Sequence, residues 1–135
     1  MDSLSPIRRS ENMRRIRSKN TKPELVIRRL VHAMGFRYRL YAKDLPGKPD
    51  LVFRSRHKVI FVHGCFWHQH AACAEGRIPG SRREYWLPKL TRNQERDRNH
   101  LAALEDLGWK TLVLWECEVK DLILLKERLR RFLEA

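Results

Sequence analysis

Val59-Ile60-Phe61-Val62-His63-Gly64-Cys65-Phe66-Trp67-His68-Gln69-His70-Ala71-Ala72-Cys73 opens as an apolar run of β-type residues and breaks at Gly64. It then packs two Cys, two His, one Phe and one Trp into nine residues. Thiolate and imidazole side chains in close succession suit Zn²⁺, a borderline-soft ion. Phe66 and Trp67 lie between the expected ligands, so the same loop presents aromatic faces. Upstream, Pro49-Asp50 sets a carboxylate at the start of the preceding apolar run.

The 135 residues carry a net charge of +13, with a pI of about 10.4. Such a field favours polyanions, of which nucleic acid is the commonest. The charge is segregated. Arg8, Arg9, Arg14, Arg15, Arg17, Lys19 and Lys22 fill an N-terminal arm, and Arg77, Arg82, Arg83, Lys89, Arg92, Arg96 and Arg98 form a second cluster. We expect an arm over residues 1–20 and one folded domain over 21–135. Three cysteines argue against a disulfide framework. No apolar stretch is long enough for a membrane span or a signal peptide, so a cytoplasmic, reducing compartment is expected. An acid at a strand start, a metal loop after the next strand and a basic chain together point to a metal-dependent enzyme acting on nucleic acid.

Thr21-x-x-Glu24 fits a capping box before a helix whose apolar face is Leu25, Ile27, Leu30, Val31 and Met34, with Gly35 as its stop. Phe36, Tyr38 and Leu40 alternate with Arg37 and Arg39, the pattern of a half-buried strand. Asp50–Arg54 and Lys58–His63 read as a hairpin, with the wholly apolar second strand central. A helix is expected over Arg92–Leu107, a buried strand over Trp109–Trp115 and an amphipathic helix over Val119–Leu133. The order α-β-β-β-α-β-α predicts a mixed sheet flanked by helices, with the last pair of strands parallel.

That order, with an acid opening the second strand, matches the PD-(D/E)xK nuclease core, the restriction-endonuclease-like α/β class. The second half of that motif is missing, because Phe61-Val62-His63 has neither the acid nor the Lys. This departure, together with Asn12-Met13-Arg14, Pro46-Gly47-Lys48-Pro49-Asp50, His63-Gly64-Cys65-Phe66-Trp67-His68, Asn93-x-Glu95-Arg96-Asp97 and Gly108-Trp109-x5-Trp115-Glu116-Cys117, resembles the very short patch repair (Vsr-type) DNA mismatch endonucleases. The resemblance spans almost the whole chain.

The resemblance implies Mg²⁺ held by Asp50 and the backbone carbonyl of Val62, and a structural Zn²⁺ held by Cys65, His70, Cys73 and Cys117. His70-Ala71-Ala72-Cys73 has one more intervening residue than the family form. In place of the missing Lys, the resemblance makes His68 the general base, oriented by Asp97. A near-neutral imidazole suits that task. His63 stands at the position of the missing Lys and is a second candidate; spacing alone does not separate His63, His68 and His70. Glu24 is implied as an active-site acid, although the capping pattern explains it equally well. Phe66, Trp67 and Trp86 are candidate wedges between base pairs, with Met13 and Arg14 contacting DNA from the arm. Trp109 and Trp115 read as core.

The implied reaction is a nick 5′ of the T in a T:G mismatch left by deamination of 5-methylcytosine. The implied partners are duplex DNA and, by function, a cytosine-5 methyltransferase and general mismatch-repair proteins, with the enzyme a monomer. The competing readings are a related nicking nuclease of other specificity and a zinc-stabilised DNA-binding module without catalysis. A zinc deaminase is disfavoured because neither His-x-Glu nor Pro-Cys-x-x-Cys occurs.

Overall fold

A computed structural model describes residues 21–70, 73 and 82–135. The N-terminal arm, with Met13 and Arg14, lies outside the described residues, as does most of the segment after His70. Helix α1 (Lys22–Ala33) begins where Thr21 caps it, its side chain accepting the Glu24 amide at 3.5 Å. Ile27 and Val31 are buried and Leu30 and Met34 half-buried, the i, i+3, i+4, i+7 stripe of a core-facing helix. Leu25 is off that stripe and exposed, contrary to the sequence reading. Gly35, at φ +91°, ends the helix in a Schellman motif. Its amide donates to His32 O and that of Phe36 to Val31 O.

Strands β1 (Arg39–Leu40), β2 (Leu51–Phe53), β3 (Lys58–His63) and β4 (Lys110–Trp115) form one sheet in chain order. The first two pairings are antiparallel, and β3–β4 is parallel, with His63 opposite Trp115. The parallel pair is joined by helix α2 (Arg83–Asp106), and a 3₁₀ turn at Glu116–Lys120 leads to helix α3 (Leu122–Glu134). The predicted element order and mixed sheet are therefore observed. The first strand is shorter than Phe36–Leu40, and the last helix starts later than Val119.

Alternation along β3 sorts the two faces of the sheet. Ile60 packs with Ile27, Val31, Leu125, Leu129 and Leu133 of α1 and α3. Val59 and Phe61 pack with Leu104 of α2, along with Leu101 and the half-buried Trp109. His63 continues the second row and so emerges on the α2 side.

Helix α2 starts nine residues before the expected Arg92 and carries Pro88 inside it. Proline removes one helical hydrogen bond, and residues 83–91 have little apolar periodicity of their own. Tertiary packing overrides propensity here. Trp86 packs on Phe66 and Trp67, and Leu90 is buried. Trp86, Leu90, Asn93, Asp97, Leu101 and Leu104 then form one stripe along the helix.

Lys58 is a buried cation whose Nζ donates to the carbonyls of Phe132 (2.6 Å), Leu133 (3.3 Å) and Ala135 (2.8 Å). It ties β3 to the carbonyl end of α3, where a cation also meets the negative pole of the helix. Hydrogen bonds to charged groups contribute ~1.5–3 kcal/mol. Lys58→Met keeps the stem and loses the donors, so urea denaturation should show a loss of about 2 kcal/mol with no change in the active site. An unchanged denaturation midpoint would mean that water replaces these bonds at no cost.

Candidate active site

Asp50 lies at the entry to β2, beside β3 rather than at the tip of a loop. The Val62 amide donates to its Oδ2 at 2.6 Å. The carboxylate is pushed up to about 7, chiefly by burial. The Val62 hydrogen bond opposes this shift, Glu24 adds to it, and His68 and Arg28 oppose it. An acid this desolvated is poised to receive a cation.

After β3 the chain coils tightly. The amides of His68 and His70 donate to Gly64 O (3.1 Å) and Cys65 O (2.9 Å). This winding sends successive side chains different ways. Cys65 and His70 turn toward Cys117, His68 toward α2, and Phe66 and Trp67 toward Trp86. His68 Nδ1 lies 2.6 Å from Asp97 Oδ2. With Nδ1–H donated to that carboxylate, a neutral His68 carries its lone pair on Nε2.

His63 stacks on His68, with ring centroids 3.8 Å apart and planes 8° from parallel. Burial, then the neighbouring His68, depresses His63 to about 3, with Asp97 opposing, so it stays neutral at physiological pH. His63, His68 and Asp97 are close enough to be considered as a metal set. Two parallel stacked imidazoles, however, direct their in-plane lone pairs side by side rather than at one point.

These groups line one open cleft of about 860 Å³, together with Glu24, Val62, Trp67, Asn93, Arg96, His100 and Glu116. Glu24 is buried, with its carboxylate directed to Tyr41 and Arg28 rather than serving only the helix end. The cleft thus unites Asp50, Glu24, His63, His68 and Asp97, five residues widely separated in sequence. Among its oxygen donors, Asp50 and Glu24 are of the hard type that Mg²⁺ takes.

Cys65, His70, Cys73 and Cys117 place their ligand atoms within 4.8 Å of one another. Cys117 Sγ lies 3.4 Å and Cys65 Sγ 3.7 Å from His70 Nδ1. Burial raises both thiols, Cys65 far above the usual range. Three sulfurs and one imidazole converging without a ligand to spare match a closed structural zinc site. The extra residue before Cys73 does not prevent that convergence.

Trp115 is half-buried rather than core. Its ring stacks on His70 at 4.3 Å and meets His63 edge-on at 5.3 Å, so one indole separates the thiol cluster from the stacked His63–His68 rings. Phe66, Trp67 and Trp86 pack mutually edge-to-face at 5.1–5.8 Å, and Tyr85 joins at Trp86.

Two side chains lie in the motifs above without a role assigned to them there. Glu116 Oε1 accepts the Cys65 amide at 2.9 Å, and Asn93 Nδ2 donates to Trp67 O at 3.1 Å. They brace the loop from β4 and α2. The motifs contain both residues, but nothing local in the sequence shows which loop each one braces.

A sheet of this topology, with an acid entering its second strand and a His–Asp pair beside its third, defines a nuclease-type fold and site. Solved structures agree on the fold. The catalytic domain of the homing endonuclease I-Bth0305I superposes with a TM-score of 0.60 at 18% identity, over 84% of this chain and 94% of that one. The family model "DNA mismatch endonuclease Vsr" matches residues 1–75. The chain is 53% identical to the type II nicking enzyme V.XorIIP of Xanthomonas oryzae pv. oryzae over 98% of its length and 97% of that protein's. It is 42% identical to the DNA mismatch endonuclease Vsr of Escherichia coli over 83% of its length and 71% of that protein's. The chain belongs to the Vsr family of DNA endonucleases. Among the described residues, no helix is long and apolar enough to cross a membrane.

Proposed function

We propose that this protein is a Mg²⁺-dependent endonuclease that nicks one strand of duplex DNA 5′ of the T in a T:G mismatch. The observation that carries this reading is the meeting of Asp50 with the His68–Asp97 pair in one cleft, walled by Trp67 of the aromatic cluster. A pure binding module has no need of a desolvated carboxylate or an oriented imidazole. In this reading Asp50 and the Val62 carbonyl would hold Mg²⁺, which would supply charge stabilisation at the scissile phosphate. His68 Nε2 takes the proton of the attacking water, Asp97 steadies the resulting imidazolium, and His63 supports the ring from behind. Phe66, Trp67 and Trp86 enter the stack, where a wobble pair lowers the cost of unstacking. The arm over residues 1–20, with Met13 and Arg14, holds the other side of the duplex. The enzyme acts as a monomer, downstream of cytosine-5 methylation and alongside general mismatch repair.

The test is a set of labelled duplexes carrying every mismatch in several contexts, incubated with Mg²⁺ and resolved by strand. Only the T strand of T:G should be cut efficiently. Cleavage of matched DNA at a fixed sequence would instead favour a nicking enzyme of other specificity. Base–aromatic stacking is worth ~1–3 kcal/mol. Trp67→Ala or Trp86→Ala should therefore lower the T:G-to-T:A rate ratio by about tenfold. A parent ratio and rate in both variants would assign these rings to packing alone.

A pH dependence follows from Asp50. Its folded value of about 7 lies above the ordinary 3.8. Burial of the neutral acid thus favours the fold fully below pH ~4, and this contribution is lost as pH rises through about 7. A bound cation offsets that loss. Mg²⁺ should raise the melting temperature more at pH 8 than at pH 6, and Asp50→Asn should erase the difference. Equal Mg²⁺ stabilisation of the parent at both pH values would show that Asp50 does not take the ion.

A further inference from the structure

We propose that Arg28 and Tyr41 are positioning residues that fix the Glu24 carboxylate in the nicking cleft. The inference rests on the nuclease reading above and extends it to two side chains that no motif includes. Glu24 shares a helical stripe with Ile27, Arg28 and Val31, so α1 turns it inward, and it is only 5% exposed. A buried carboxylate is unfavourable unless its oxygens are partnered.

Here one oxygen, Oε2, accepts both the Tyr41 hydroxyl at 2.6 Å and Arg28 Nη2 at 3.0 Å. The same Nη2 reaches the Tyr41 hydroxyl oxygen at 2.5 Å, closing a triangle. The guanidinium carbon lies 5.6 Å from the Tyr41 ring centroid, so the ring also supports the Arg that it bonds. Two donors from different elements on one oxygen restrain the carboxylate.

Tyr41 reaches this place through backbone strain. It follows β1 directly and has φ +49°, a left-handed conformation uncommon for a bulky residue. Such strain persists where the surroundings over-determine it, and it concentrates at functional sites. A buried ionic network seldom adds stability over apolar residues of the same volume. An apolar residue at position 24 would continue the Ile27–Val31 stripe. A held carboxylate on the wall shared with Asp50 is therefore better explained by what it must orient, the attacking water beside the phosphate.

Single-turnover nicking of a T:G duplex is measured for Tyr41→Phe, Glu24→Gln and the double variant, with duplex affinity measured alongside. A hydrogen bond to a charged group corresponds to about a tenfold or larger change in rate. Tyr41→Phe should nick about tenfold more slowly at saturating duplex, with unchanged duplex Kd. It should cause no further loss when Glu24 is already Gln, because a positioning residue acts only through its target. A parent rate for Tyr41→Phe overturns the inference, as does a loss that multiplies with that of Glu24→Gln. Glu24→Gln at the parent rate overturns it too, and leaves the nuclease reading standing if Asp50→Ala is inactive. Activity in Asp50→Ala as well would remove the reading on which it rests. Should Tyr41→Phe fail to fold, Arg28→Lys serves the same comparison, since Lys keeps the charge and lacks the fork.

Discussion

Asp50→Ala should abolish nicking, by about a thousandfold or more, while T:G duplex binding stays within a few-fold of the parent. The two effects separate because the groups separate. Asp50 is anchored on the β2–β3 hairpin through the Val62 amide, whereas the aromatic cluster projects from the loop after Gly64 and from α2. Charge stabilisation at a phosphate is worth several kcal/mol, and Asp50 is the strand-borne acid of the cleft. Removing the carboxylate relieves its desolvation but leaves the Val62 amide without its partner, so folding of the variant is checked alongside its activity. His68→Ala should lose about a hundredfold or more, since the Asp97-oriented ring is the proposed proton acceptor. Single-strand nicking and duplex affinity, measured on the same preparations, decide the matter. Full Mg²⁺-dependent activity in Asp50→Ala would sink the assigned centre.

Much of this site is legible in sequence because its parts lie on short, strongly patterned elements. Lys58–His63 reads as a run bounded by a turn and by Gly64, and the strand has those limits. The thiol cluster was readable from residue type, and its convergence needed only that β4 return parallel to β3, as α2 dictates. The misreadings have local causes. Pro88 and the charges around it hid the first turns of α2, whose stability comes from Trp86 and Leu90. Trp115 sits in a β-type run and reads as core, yet its strand position opposite His63 makes it a partition between two sites. The contacts that define the cleft most closely were not legible at all. Tyr41 to Glu24 spans 17 residues and Cys65 to Glu116 spans 51, and neither pair carries a local pattern. Only the closed fold brings them together.

Cys117→Ser should cost the protein its zinc and much of its stability. The four ligand atoms come from the loop after β3, from the segment at Cys73 and from the turn after β4, so one ion would join elements that no disulfide links. Burial holds the Cys65 and Cys117 thiols above their usual range, and three crowded thiols gain little from one another while protonated. A cation reverses that balance by taking them as thiolates. In small zinc-dependent folds that exchange is worth ~10 kcal/mol or more. Elemental analysis of the parent should find one zinc per chain, retained in mild EDTA that strips Mg²⁺. The variant should retain less and unfold at clearly lower urea. The damage should also reach the chemistry. Cys65 precedes Phe66 and Trp67, and His70 stacks on the Trp115 ring that touches His63, so slackening the thiol cluster loosens both the aromatic cluster and the stacked His63–His68 rings. Nicking should therefore fall even at temperatures where the variant remains folded. A folded, fully active preparation without zinc would refute the site, and a zinc-free variant of parent stability would reduce the cluster to packing.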